Sequence, residues 1–164
     1  MKVQEIMTEK AQSCLPDDKV SAIARMMREQ NCGFIPVVTN ENVPVGVITD
    51  RDVCMAVATK FQNAADIDVS ELMSRQIFAC FAEDDLNTAL RRMKESKVRR
   101  LPVVNHEGKL KGILSLDDII LSTTGDGKGD LPLANVFGTY QSICEPFTAK
   151  KSRSRQSPKA LLVQ

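Results

Sequence analysis

The chain has 164 residues, of which 43% are hydrophobic and 26% charged, with a formal net charge of +1. These are the proportions of a soluble globular protein long enough to bury a core, and the near-neutral charge argues against electrostatic binding of nucleic acid by the whole chain. No apolar run approaches the roughly 18 residues of a membrane-spanning helix, the N-terminus lacks a signal-peptide core, and five scattered cysteines form no Cys-x-x-Cys pair, which predicts free thiols and a cytoplasmic location.

In chain order, a short strand is expected near 12–15, and Asp17 and Asp18 stand where a helix N-cap is expected. Val20, Ile23, Ala24 and Met27 then follow the i, i+3, i+4, i+7 spacing of one buried helical stripe. Phe34-Ile35-Pro36-Val37-Val38 reads as a strand, with the proline tolerable at a start or edge. A polar turn at 39–42 leads to a second strand, 45–49, which runs straight into a helix from Asp50. The order then recurs: a strand near 77–81, Asp84 and Asp85 as caps, and a helical stripe of Leu86, Ala89, Leu90 and Met93. Strands at 100–104 and 111–115 and a helix from Leu116 complete it. The paired Cys14 and Cys80 fall on the short first strands and read as small buried thiols.

The recurrence has a constant offset of 66. Residues 3–53 lie on 69–119 without a gap, with identities that include Met7/Met73, Cys14/Cys80, Asp18/Asp84, Pro36-Val37-Val38/Pro102-Val103-Val104, Gly46/Gly112 and Asp52/Asp118. The fold class expected is α/β (α+β): two tandem β-α-β-β-α repeats related by a pseudo-two-fold axis, with a C-terminal extension. The boundaries expected are 1–62 and 63–124 for the repeats. A glycine-rich link and a partly apolar extension able to pack back onto the body cover 125–147, and a basic, disordered tail covers 148–164. Lys150, Lys151, Arg153, Arg155 and Lys159 give that tail its charge, but it has no aromatic for base stacking.

Two elements carry candidate chemistry. The first joins a strand end to a helix start: Gly46-Val47-Ile48-Thr49-Asp50-Arg51-Asp52 and Gly112-Ile113-Leu114-Ser115-Leu116-Asp117-Asp118. Such a junction presents unpaired N–H groups and the positive end of a helix dipole to an anion. A hydroxyl at Thr49 or Ser115 can donate to phosphate, and a carboxylate at Asp52 or Asp118 can accept both hydroxyls of a ribose. Capping of the helix by the same residues is the competing reading. The second element is Lys97-Val98-Arg99-Arg100-Leu101-Pro102, whose planar guanidinium forks match phosphate. Gly33 stands in repeat 1 where Arg99 stands in repeat 2, so the two sites are not equivalent and repeat 2 is favoured.

These repeats resemble the CBS domain, which commonly occurs as a tandem pair called a Bateman module. The likeness rests on the two apolar-Pro-Val-Val strands, the two Gly-to-Asp elements, and the openings Ile6-Met7-Thr8 and Leu72-Met73-Ser74. It implies a regulatory module that binds AMP, ADP or ATP in the cleft between repeats, with no obligatory cofactor and no metal. It further implies phosphate contacts from Thr49, Ser115, Arg99 and Arg100, ribose contacts from Asp52 and Asp118, and a homodimer packed through the second helices. Val53, Val57, Ile119 and Ile120 are the residues suited to that packing. Phe34, Ile35, Pro36, Leu101 and Pro102 are candidates for an adenine slot, as are Ile6, Met7, Leu72 and Met73. The alternative is a ligand-free dimerisation or scaffold module acting through the C-terminal extension on a regulated protein that nothing in the sequence names. Enzyme chemistry is not expected. The sole histidine, His106, sits in a polar turn, and the chain has no Cys/His cluster, phosphate loop or nucleophile elbow.

Overall fold

The computed structural model describes residues 1–122 and 132–145. The expectations for residues 125–131, and for the basic tail at 148–164, lie outside the described residues. The rest is a mixed α and β structure in the expected order, except that the strand expected near 12–15 is a single bridge at Cys14 and an unexpected strand forms at Thr8–Glu9. Its elements are β1 (Thr8–Glu9), α1 (Val20–Glu29), β2 (Phe34–Val38), β3 (Pro44–Thr49), α2 (Asp50–Thr59), β4 (Cys80–Phe81), α3 (Leu86–Ser96), β5 (Arg100–Val104), β6 (Leu110–Ser115), α4 (Leu116–Ser122) and α5 (Leu133–Cys144).

Two compact units form. One holds Met1–Glu9, Phe78–Val104 and the chain from Lys111, and the other holds Lys10–Ile77 and Asn105–Leu110. In the first, a four-stranded sheet has the order β1-β6-β5-β4. β1 is antiparallel to β6 and β4 is parallel to β5. Its core gathers Val3, Leu86, Leu90, Met93, Leu101, Val103, Leu114 and Ile119. In the second, β2 and β3 form an antiparallel pair, and Cys14 bridges to Val37. Its core gathers Cys14, Ile23, Met27, Ile35, Val37, Ile48, Val69 and Met73. Both helical stripes thus turn inward as their 3.6-residue period dictates.

The first unit is built mainly from repeat 2, yet it takes the opening of repeat 1. The Val3 N–H donates to the Asp84 carbonyl at 3.0 Å, and Thr8 pairs with Ile113. The second unit takes the opening of repeat 2. The Val69 N–H donates to the Asp18 carbonyl at 2.9 Å, and Ser74 and Val47 exchange N–H···O bonds at 2.9 Å. Every pair in one set maps onto the other by the offset of 66. Val3 and Val69, both fully buried, anchor the exchanged segments.

The two glycines that open the Gly-to-Asp elements are explained by this exchange. A Cβ on Gly112 would collide with the Thr8 carbonyl oxygen, and one on Gly46 would lie 2.7 Å from Met73 Sδ and 3.0 Å from the Ser74 oxygen. Gly112 and Gly46 are therefore close-approach positions, where the opening segment crosses the strand.

The expected caps divide differently between the repeats. Asp85 is the N-cap of α3 and accepts from the Asn87 N–H at 2.8 Å. Neither Asp17 nor Asp18 caps α1, whose N-cap is Lys19, a residue whose side chain makes no capping bond. The Asp18 carboxylate instead turns back to accept the Leu15 N–H at 2.8 Å. A short acid can satisfy a nearby turn as readily as a helix end.

The apolar extension does pack back. α5 lies against α3 with Val136 and Thr139 buried. Polar bonds tie it down: Asn135 Nδ2 donates to Asn87 Oδ1 at 3.0 Å, Ser142 Oγ donates to the Lys94 carbonyl at 3.3 Å, and Lys97 pairs with Glu145 at 3.1 Å.

Candidate functional site

The repeat-2 candidate forms where β6 hands over to α4. Ser115 and Asp118 close a reciprocal ring there. The Ser115 N–H and hydroxyl donate to Asp118 Oδ2 at 2.8 and 2.7 Å, and the Asp118 N–H donates to Ser115 Oγ at 3.0 Å. Both residues are half-buried. Arg99 arrives from the start of β5. Its carbonyl accepts the Leu116 N–H at 2.9 Å, so the cation's backbone is fastened to the first residue of α4. The Arg99 backbone thereby lies at the same strand-to-helix corner as Ser115 and Asp118. Arg100 follows on the strand, half-buried.

The ring is a capping arrangement, and it limits what these side chains can do. The Ser115 hydroxyl proton is committed to Asp118, so that hydroxyl can reach a phosphate only by turning. Oδ2 of Asp118 is engaged, while Oδ1 accepts no hydrogen bond among the described residues and keeps its lone pairs for a ligand.

Repeat 1 reproduces the ring but not the charge. The Thr49 N–H and hydroxyl donate to Asp52 Oδ2 at 2.8 and 2.7 Å, and the Asp52 N–H returns to Thr49 Oγ1 at 3.3 Å. The Asp50 N–H donates to the Gly33 carbonyl at 3.3 Å, the counterpart of the Leu116–Arg99 bond. Here the residue beside Gly33 is an acid. The Asp50 carboxylate lies where a Cβ on Gly33 would be, 2.6 Å from Oδ2. Here Asp50 and Asp52 flank Arg51 at the start of α2, and a glycine stands at the position that Arg99 holds in repeat 2.

The apolar candidates are mostly core. Ile35, Pro36, Leu101 and Pro102 are buried, and Phe34 is half-buried. Ile6 and Met7 pack on the core of the first unit, and Leu72 and Met73 belong to that of the second. The dimer candidates split. Ile119 is fully buried and Val53 packs on its own unit's core, because both lie on the inward face of their helices. Val57 and Ile120 are exposed, joined by Met55 and Leu121.

Burial pushes the Cys14 and Cys80 thiols up to about 12, helped by the nearby carboxylates of Asp18 and Asp84. Both are inert buried groups. Among the described residues, no group of three or more His, Cys, Asp or Glu could hold a metal ion, and no helix is long and apolar enough to cross a membrane.

The family model for the CBS domain matches residues 3–59 and 69–123. The chain belongs to the CBS domain family. The chain is 28% identical over 141 residues to the CBS domain-containing protein YhcV of Bacillus subtilis, covering 86% of this chain and 97% of that protein. An uncharacterized protein of Methanopyrus kandleri is 31% identical over 105 residues, which cover 64% of this chain and 54% of the relative. The chain thus spans about half the length of that relative. Among solved structures, CBSX2 in complex with AMP superimposes with a TM-score of 0.65 at 26% identity, covering 74% of this chain and 94% of that one.

Two contacts, one in each unit, were not read from the sequence. The Arg99 guanidinium carbon lies 5.7 Å from the centroid of the Tyr140 ring, over its face. Tyr140 also lines an apolar pocket of about 340 Å³ with Ile120, Leu133, Val136 and Phe137. The signal was present as Leu133, Val136, Phe137 and Tyr140, spaced i, i+3, i+4, i+7. Asp50 was the second miss. Its acid beside Gly33 was visible as the counterpart of Leu116 at the offset of 66.

Proposed function

We propose that this CBS pair is a non-catalytic regulatory module that binds an adenine nucleotide, AMP, ADP or ATP, at the repeat-2 corner. One observation carries the reading: the Leu116–Arg99 backbone bond fastens Arg99, whose side chain is exposed, to the first residue of α4, next in sequence to the Ser115–Asp118 ring. Arg99, assisted by Arg100, contacts phosphate through its planar fork. Asp118 accepts ribose hydroxyls at Oδ1, where charge-assisted bonds contribute about 1.5–3 kcal/mol each. Binding of AMP by CBSX2, a likeness of 26% identity, supports the nucleotide class. The module pairs with a second copy through the exposed apolar residues of α2 and α4 and acts on a separate protein. Five free cysteines among the described residues support a reducing, cytoplasmic setting.

A second reading is a ligand-free scaffold. It is favoured by the completeness of both capping rings and by the exposed Leu133, Phe137 and Tyr140 on α5. Thermal melting with millimolar AMP, ADP, ATP, guanine nucleotides and S-adenosylmethionine separates the two. An adenine nucleotide that binds the native state raises the melting temperature by mass action. A flat response to all of them rejects the nucleotide reading and leaves the scaffold.

A further inference from the structure

The C-terminal helix does more than cover α3. Along α5, Val136, Thr139, Tyr140 and Ile143 lie at i, i+3, i+4 and i+7. Val136 and Thr139 are buried, and Ile143 packs on the core. The bonds from Asn135 and Ser142 and the Lys97–Glu145 pair fix the helix along α3. Tyr140 is carried on this docked stripe, and its ring meets the face of Arg99 at 5.7 Å.

We infer that Tyr140 is a positioning residue for Arg99, so that α5 belongs to the anion-recognition apparatus of repeat 2; the inference rests on the nucleotide reading above. The geometry of guanidinium supports it. Its attraction to an aromatic ring acts through its flat face, whereas its five N–H donors point outward in its plane. A ring on the face leaves the donor edge open to phosphate. The stack therefore narrows the rotamers of a long, exposed side chain before the ligand arrives, and pre-ordering of that kind strengthens binding without adding a contact to the ligand. Its effect is confined to ligands that carry phosphate.

The test is titration calorimetry of the full chain with AMP and with adenosine, which lacks the phosphate. Tyr140→Leu is expected to weaken AMP binding about three- to five-fold, the range of an exposed cation–π pair, and to leave adenosine unchanged. Tyr140→Phe keeps the ring and stays within about two-fold of the parent for both ligands, by the same accounting. Arg99→Ala removes the cation, and adding Tyr140→Leu to it produces no further loss of AMP affinity. Tyr140 is the sole tyrosine and the chain has no tryptophan, so its emission reports the contact directly: Arg99→Ala should alter it without any ligand. Unchanged AMP affinity in Tyr140→Leu overturns the inference while leaving the nucleotide reading intact. An equal loss for adenosine overturns it in favour of a purely structural role. If the parent protein binds neither compound, both the inference and the reading beneath it fall.

Discussion

Gly33 and Asp50 share one space: a Cβ on the glycine would lie 2.6 Å from the aspartate's Oδ2. At the corresponding corner of repeat 2 stand Arg99 and the buried Leu116. The exchange sets a cation where repeat 1 has a glycine and removes the acid from the first residue of the helix, while keeping the backbone bond between the two positions. A phosphate at one corner would meet the Arg99 guanidinium and at the other the Asp50 carboxylate, with Arg51 and Asp117 at the second residue of α2 and α4.

It follows that conversion of the repeat-1 corner needs two changes. Gly33→Arg alone pairs the new cation with Asp50 and leaves phosphate affinity low. Gly33→Arg combined with Asp50→Leu frees the cation, and AMP stoichiometry should rise from one to two per chain by calorimetry. Strong non-additivity is the signature of two groups in contact. Two sites in the unmodified protein, or none gained in the double variant, would contradict the charge argument.

Glycine substitutions should rank by what they strike. At Gly112 an added Cβ strikes the Thr8 backbone carbonyl, which is held by the β1–β6 pairing. At Gly33 it strikes the end of an exposed aspartate side chain that can swing away. Gly112→Ala is therefore expected to cost about 2 kcal/mol or more, in the range of overpacking and backbone displacement. Gly33→Ala should cost under about 1 kcal/mol by the same scale. Urea denaturation of the two variants measures the order, and a reversal would mean that the opening segment is not fixed against β6.

What was legible in the sequence follows from these cases. The offset of 66 carried the element order, both capping rings and the Gly33/Arg99 asymmetry, because each depends on residues close along the chain or on a direct comparison of the repeats. The exchange of opening segments was not legible. The offset matches Val3 with Val69 but does not say into which core either turns, since both cores accept a valine. The Asp17-Asp18 cap failed because a short carboxylate has several local donors within reach, and Asp18 took Leu15. Arg99 read as a solvated or phosphate-facing cation. Its aromatic neighbour lies 41 residues away on a helix whose docking only tertiary packing decides.

The buried thiols set an alkaline limit. Cys14 and Cys80 are raised in the folded state from 9.0 to about 12. Between those values the unfolded chain has lost the two protons while the native chain retains them, so stability falls as pH rises. The contribution is complete below pH 9 and is lost progressively toward about pH 12. Cys14→Ser combined with Cys80→Ala should flatten that part of the stability curve. At pH 8, a thiol reagent should modify the exposed Cys54 and Cys144 quickly and leave Cys14 and Cys80 protected until the protein unfolds. Rapid labelling of Cys80 in the native protein would contradict the burial.

The matched rings allow capping to be separated from binding. Asp52 and Asp118 each accept an N–H and a hydroxyl on one oxygen, at the same distances of 2.8 and 2.7 Å. Their structural contributions are therefore alike, and alanine at either position should lower stability by about 1 kcal/mol, the usual cost of a lost cap. Their ligand contributions differ, because Arg99 stands at the repeat-2 corner where repeat 1 has Gly33. Asp118→Ala should abolish most of the rise in melting temperature produced by AMP, while Asp52→Ala, equally destabilised without ligand, should keep most of it. The ligand-free melt thus serves as the internal control: equal losses of the AMP response would refute the asymmetry between the repeats, and no loss in either variant would leave both carboxylates as helix caps alone.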